Sequence, residues 1–117
     1  FRFMVERAPV SIFYMNLDHK FMEFNPEAER VTGYSREFAL TKTSDEIFYL
    51  GDQQARYEEL SKRIHAGEKL QGEEVAIQCA DGSVIELAIS CSLENDTNGN
   101  PFIICIGQDM SRQKALE

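Results

Sequence analysis

The sequence predicts an α+β domain, a five-stranded antiparallel sheet with short helices on one face and a longer connecting helix. Three observations predict it. After Gly67 the apolar residues change from helical to alternating spacing, the signature of half-buried strands. Two turn signals, Asp81-Gly82 and Asn98-Gly99, divide that region into three strands. Ahead of it, cap residues between Asn25 and Asp52 recur too closely for long helices and mark several short ones.

Taken in order, Phe1, Met4, Val5 and Ala8 recur at helical spacing and Pro9 ends that helix, giving a flanking segment over residues 1–10. Residues 11–16 read as a strand, with Ile12, Phe13, Tyr14 and Met15 apolar on both faces. Asp18-His19 then turns the chain into a second strand over residues 20–24, which places His19 at an exposed tip. Asn25-Pro26-Glu27 starts a helix well: Asn25 caps, Pro26 suits the first position, and Glu27 complements the dipole. Gly33 supplies its left-handed stop. Ser35 caps a short helix through Phe38, and Thr43 and Glu46 stand at capping-box spacing for another. Asp52 is expected to cap the longest helix, which runs to about Ala66 with Tyr57, Leu60 and Ile64 on its inward stripe.

On the following strands Val75, Ile77 and Cys79, then Ile85, Leu87, Ile89, Cys91 and Leu93, share one face. Asp81-Gly82 predicts a two-residue hairpin between them. The last strand carries Ile103 and Cys105 inward and Phe102, Ile104 and Ile106 outward. It hands over at Asp109-Met110-Ser111, where short oxygen side chains suit the unpaired amides of a first helical turn. Residues 11–110 therefore form the domain body and 111–117 the start of a C-terminal helix.

The chain has 117 residues and a formal net charge of −8, and its Lys and Arg do not cluster. That argues against nucleic acid and against direct contact with anionic membranes. No apolar run approaches the roughly 18 residues of a membrane span. Cys79, Cys91 and Cys105 are odd in number and lack the close spacing of metal ligands. Free, buried thiols in a reducing, cytoplasmic setting are expected. No Ser-His-Asp order, glycine-rich phosphate loop or metal cluster stands out, so the segment is expected to be non-catalytic. A chain that starts at Phe1 and stops within a helix reads as a piece of a longer protein.

This order of elements, with N-P-E-A-E-R-V-T-G-Y-S at 25–35, D-G-S at 81–83 and D-M-S-R-Q-K at 109–114, resembles the PAS domain family. The resemblance implies a sheet cupping short helices around a hollow that holds a ligand in some members. It also implies an exit through the closing Asp-x-Thr/Ser motif, here Asp109, Ser111 and Arg112, into an output domain in the same chain of histidine kinase or diguanylate cyclase type. Flavin photochemistry would need a reactive cysteine between Thr43 and Asp52, where there is none. The positions that would hold a flavin's polar edge align with Ile77, Leu87 and Gly107, which offer no side-chain hydrogen bond. Haem would need a histidine early in the long helix, where Gln53 and Gln54 stand. His65, in its last turn, reads as a cation at a helix C-terminus.

No cofactor is therefore expected. The interior is either a packed core or an apolar pocket for a small ligand, lined by Leu60, Ile64, Ile77, Leu87, Ile89, Cys91 and Cys105, with Tyr14 or Tyr57 as polar handle. Cys91 and Cys105, on neighbouring strands, form a candidate redox pair, although buried thiols are usually inert. A homodimer is expected through Phe1, Met4, Val5, Phe102, Ile104 and Ile106.

Overall fold

The structure, a computed structural model, describes residues 9–111 and Leu116. The expected N-terminal helix with Phe1, Met4 and Val5, and also Arg112, lie outside the described residues.

Five strands form one antiparallel sheet: β1 (Ser11–Met15), β2 (Phe21–Phe24), β3 (Leu70–Gln78), β4 (Val84–Asn95) and β5 (Pro101–Asp109). Their spatial order is β2-β1-β5-β4-β3, so the first and last strands are neighbours at the centre. The helices come between the two groups of strands: α1 (Pro26–Thr32), α2 (Arg36–Ala39), α3 (Ser44–Ile47) and α4 (Gln54–His65). This is the α+β arrangement that periodicity predicts.

The cap signals act largely as expected. Asn25 Oδ1 accepts from Ala28 N at 3.0 Å, and Gly33 ends α1 at φ 82°. Ser35 Oγ accepts from Phe38 N at 3.1 Å, and Thr43 and Glu46 form a capping box. Two expectations are corrected. Asp52 does not cap α4; it lies within a 3₁₀ turn, Gly51–Gln53, and the α-helix begins after it at Gln54 without a side-chain cap. A tight 3₁₀ turn is a common lead-in to an α-helix, and it uses up the residue that composition marked as the cap. The β3–β4 hairpin is also longer than two residues. Cys79 N donates to Ser83 O at 2.7 Å and Gly82 N to Cys79 O at 3.0 Å, leaving residues 80–82 in the loop with Gly82 at φ 86°.

The core lies between the inner sheet face and the helices. Of the inner-face residues expected from alternation, Val75, Ile77, Cys79, Leu87, Ile89, Cys91, Ile103 and Cys105 are buried, with Ile77 and Ile103 fully so, while Ile85 and Leu93 are half-buried. At the β1–β2 end, Phe13, Phe21, Phe24 and Phe48 pack mutually; Phe21 meets Phe24 and Phe48 edge-on with ring centroids 5.4 Å apart. Gly107 lets the sheet close over its neighbour: a Cβ there would stand 3.3 Å from Leu87 Cδ1.

Candidate functional site

A small cavity lies where the β1–β2 connection, α3, α4 and the centre of the sheet meet. Strand β1 contributes Phe13 and Met15, and the sheet centre contributes Ile89, Cys91 and Cys105. Ser44 of α3 and Tyr49 line it from one side. Tyr57, Leu60, Ser61 and Ile64 come from α4, and His19 closes it from the turn. The cavity offers about 30 Å³ to the centres of water-sized molecules. One such molecule needs roughly 10–15 Å³, so the cavity suits one or two waters or a molecule of a few heavy atoms.

Its polar groups gather around His19. Asn16 organises the turn: its Oδ1 accepts from Asp18 N at 2.9 Å and Lys20 N at 3.0 Å. His19 itself sits at φ 66°, and its carbonyl accepts from Ser44 N at 3.0 Å. The ring points inward and is only 5 % exposed, which corrects the expectation of an exposed tip. A turn residue held in the left-handed region directs its side chain away from the path of an extended chain, here toward α4. His19 Nε2 stands 2.9 Å from His65 Nε2 and 3.2 Å from Ser61 Oγ. Burial lowers the His19 pKa, the neighbouring His65 lowers it further, and Asp45 and Asp18 oppose both. Tyr57 meets the His19 ring edge-on at 5.3 Å. Its hydroxyl pKa is raised first by burial and then by Asp45. Ser44 Oγ lies close enough to oppose that shift, yet it is buried without a hydrogen bond of full geometry.

At the sheet side, Cys91 and Cys105 face each other across the ladder, with their sulfurs 2.7 Å apart. The contact with Cys91 and then burial push the Cys105 thiol well above its ordinary range. Among the described residues no group of three or more His, Cys, Asp or Glu stands close enough to hold a metal ion.

Tyr57, Leu60, Ile64, Ile89, Cys91 and Cys105 of the expected pocket line this cavity. Ile77 and Leu87 are buried but pack elsewhere on the inner face, Leu87 over Gly107. Tyr14 is a correction. It pairs in register with Ile104 and shares that residue's outer face, where its ring lies 5.4 Å from Phe102. Alternation along β1 buries Ser11, Phe13 and Met15 and turns Ile12 and Tyr14 outward. Sequence reasoning missed Phe13 and Met15, which that alternation marks, and also His19, Ser44, Tyr49 and Ser61, for which no local signal exists.

On the outer face Phe102 and Ile104 are half-buried and Ile106 is 40 % exposed. At the far end of β5, Asp109 Oδ1 accepts from Ser111 N at 2.9 Å and from Ser111 Oγ at 2.6 Å. The same Asp-x-Ser device recurs at Asp81 and Ser83, again at 2.9 and 2.6 Å. Asp109 shares a surface groove with Arg30, whose guanidinium is bonded to Glu27.

The fold is an antiparallel sheet whose inner face and short helices leave a small cavity between them. The chain matches the PAS fold family over residues 1–110 and belongs to it. No curated protein matches the chain. Among solved structures it is similar to a domain of the sensory box sensor histidine kinase/response regulator from Geobacter sulfurreducens, at 24 % identity and TM-score 0.76, covering 92 % of this chain and 90 % of that one. It is also similar to the PAS domain of a protein from Colwellia psychrerythraea, at 18 % identity and TM-score 0.81, covering 95 % and 94 %. A third is the LOV domain from the Erythrobacter litoralis EL346 blue-light activated histidine kinase, at 23 % identity and TM-score 0.73, covering 89 % and 98 %. At these identities the likeness is one of fold. Among the described residues no helix is long and apolar enough to cross a membrane.

Proposed function

We propose that this segment is a non-catalytic signal-sensing module of a larger signal transduction protein. It would pass a change in its core through β5 to an output domain of histidine kinase or diguanylate cyclase type. One observation carries the reading. Strand β5 contributes Cys105 to the cavity lining, and four residues further on Asp109 holds Ser111 at the point where the chain turns helical. The same strand therefore borders both the place where a ligand would enter and the place where a response would leave. Substituting Asp109→Ala in the intact parent protein tests it: output should cease to follow input while the domain stays folded. Output that only tracks the loss of stability would argue against transmission.

The residues at the positions aligned with a flavin's polar edge do not suit that group. Ile77 and Leu87 offer no side-chain hydrogen bond, and the space over Gly107 is taken by Leu87. A cavity of about 30 Å³ gives no room for a porphyrin. Both points favour a small ligand over either cofactor.

The outer face supports a second reading, an interaction module that works as a homodimer. Phe102, Ile104 and Ile106 form an apolar stripe on the central strand, and such a stripe suits a protein contact. A native mass spectrum separates the readings, since a co-purifying small molecule favours the sensor and a bare dimer the interaction module.

A further inference from the structure

Cys91 and Cys105 are cross-strand partners, directly opposite one another in the β4–β5 ladder and both buried on the inner face of the sheet. Directly opposed residues of an antiparallel pair have Cα atoms about 4.5–5.5 Å apart, within the roughly 4.4–6.8 Å that a disulfide spans. The two sulfurs stand 2.7 Å apart, so a bond of about 2.05 Å needs them to close by about 0.65 Å. Neither strand has to change register for that movement. The third thiol, Cys79, instead donates to the Val31 carbonyl, with its sulfur 3.7 Å from that oxygen.

Both Cys91 and Cys105 also line the cavity between the sheet and α4. Its space of about 30 Å³ holds one or two water-sized molecules, and hydrogen peroxide, with two heavy atoms, is of that size. A bulky oxidant such as glutathione disulfide has no room there. The cavity therefore selects a small oxidant for a thiol pair that is already in place to be joined.

We propose that Cys91 and Cys105 form an oxidation site, which hydrogen peroxide converts into a cross-strand disulfide. One cysteine thiolate attacks a peroxide oxygen and the O–O bond breaks. That sulfur becomes a sulfenic acid, and the second oxygen takes up the thiol's proton and leaves as water. The other thiol then attacks the sulfenic sulfur, forming the S–S bond and releasing the hydroxyl as a second water. In sum, two thiols lose two hydrogens and two electrons, and one peroxide becomes two waters. Contact with Cys91 and then burial hold the Cys105 thiol well above its ordinary range. Only the thiolate attacks, so the reaction is slow and the pair responds to sustained exposure. Formation of the bond does not depend on the sensor reading; its use as an input, carried along β5 from Cys105 to Asp109, rests on that reading.

The test exposes the intact chain to millimolar hydrogen peroxide for hours, with a metal chelator present. It then reads the intact mass, the thiols titratable after denaturation, and a peptide map made without reduction. The expected result is the loss of two hydrogen atoms per chain, a fall from three titratable thiols to one, and a linked Cys91–Cys105 peptide. Dithiothreitol should restore all three thiols. Cys79→Ser should still form the bond, whereas Cys91→Ser and Cys105→Ser should each stop at a sulfenic acid that dimedone traps. Should either of those two variants fail to fold, the wild-type mass and peptide map decide alone. Three thiols remaining, a bond to Cys79 or between two chains, or oxygen added to Met15 without a bond would overturn the proposal and leave the sensor reading open to another ligand. If the bond forms and the amide NMR resonances of Asp109 and Ser111 stay in place, the oxidation site stands and its use as an input fails.

Discussion

His19 adopts φ 66° at the tip of the β1–β2 connection, a conformation that few non-glycine residues accept. The turn is held by Asn16 Oδ1 and by the bond from Ser44 N to the His19 carbonyl, and the ring is thereby delivered to His65 and Ser61. A consequence follows for pH. Burial, reinforced by His65, lowers the pKa of folded His19 below its ordinary 6.5. Between those two values the unfolded chain binds more protons than the folded one, so stability rises with pH across that window. The contribution is complete above pH about 6.5 and is lost as pH falls through the folded-state value. Melting temperatures should therefore drop from pH 7.5 to pH 5, and His19→Gln should flatten that slope. An identical slope in the variant would show that other groups set it. None of this was legible locally, because His19 and His65 are 46 residues apart in sequence and the composition of the turn says nothing of where its side chain points.

At the scale of elements, Asn25 links β1 to α1. Its Oδ1 accepts from Ile12 N at 2.9 Å as well as from Ala28 N, and its Nδ2 donates to Val10 O at 2.8 Å. The sequence identifies Asn25 as a helix cap, and that much is visible from Asn-Pro-Glu alone. Its second role, satisfying the backbone of a strand 13 residues earlier, comes only from the fold. Asn25→Ala should therefore cost more than an ordinary cap. It leaves buried backbone groups unpaired at about 1–3 kcal/mol each, against about 1 kcal/mol for Ser35→Ala, whose bond is exposed. Urea unfolding of the two variants checks this, and equal losses would mean that Asn25 acts as a cap alone. Asp52 shows the opposite case: a good cap residue whose position was taken by a 3₁₀ turn, since several cap-like residues close together compete for one helix start.

For the whole molecule, the outer face of the central strands is the surface on which the proposed dimer rests. Phe102, Ile104 and Ile106 leave an apolar stripe there, joined by Tyr14 beside Phe102. Sedimentation at high micromolar concentration should show a dimer, and Ile104→Glu should shift it to monomer without unfolding the domain; a wild-type chain that stays monomeric overturns the dimer. The sequence by itself determined the class of fold, the caps at Asn25, Ser35 and Thr43, the inward stripe of α4 and the inner face of β3 to β5. These are properties of residue spacing, and spacing acts through local geometry with periods of 3.6 and 2. It also marked Asp109 and Ser111 as the place where the last strand ends and the chain turns helical. Tertiary structure alone decided that β1 lies against β5 at the sheet centre, that Tyr14 faces outward, that His19, Ser44 and Ser61 share one small cavity, and that His19 meets His65. Those facts depend on contacts between residues far apart in the chain, where no period relates one side chain to the other.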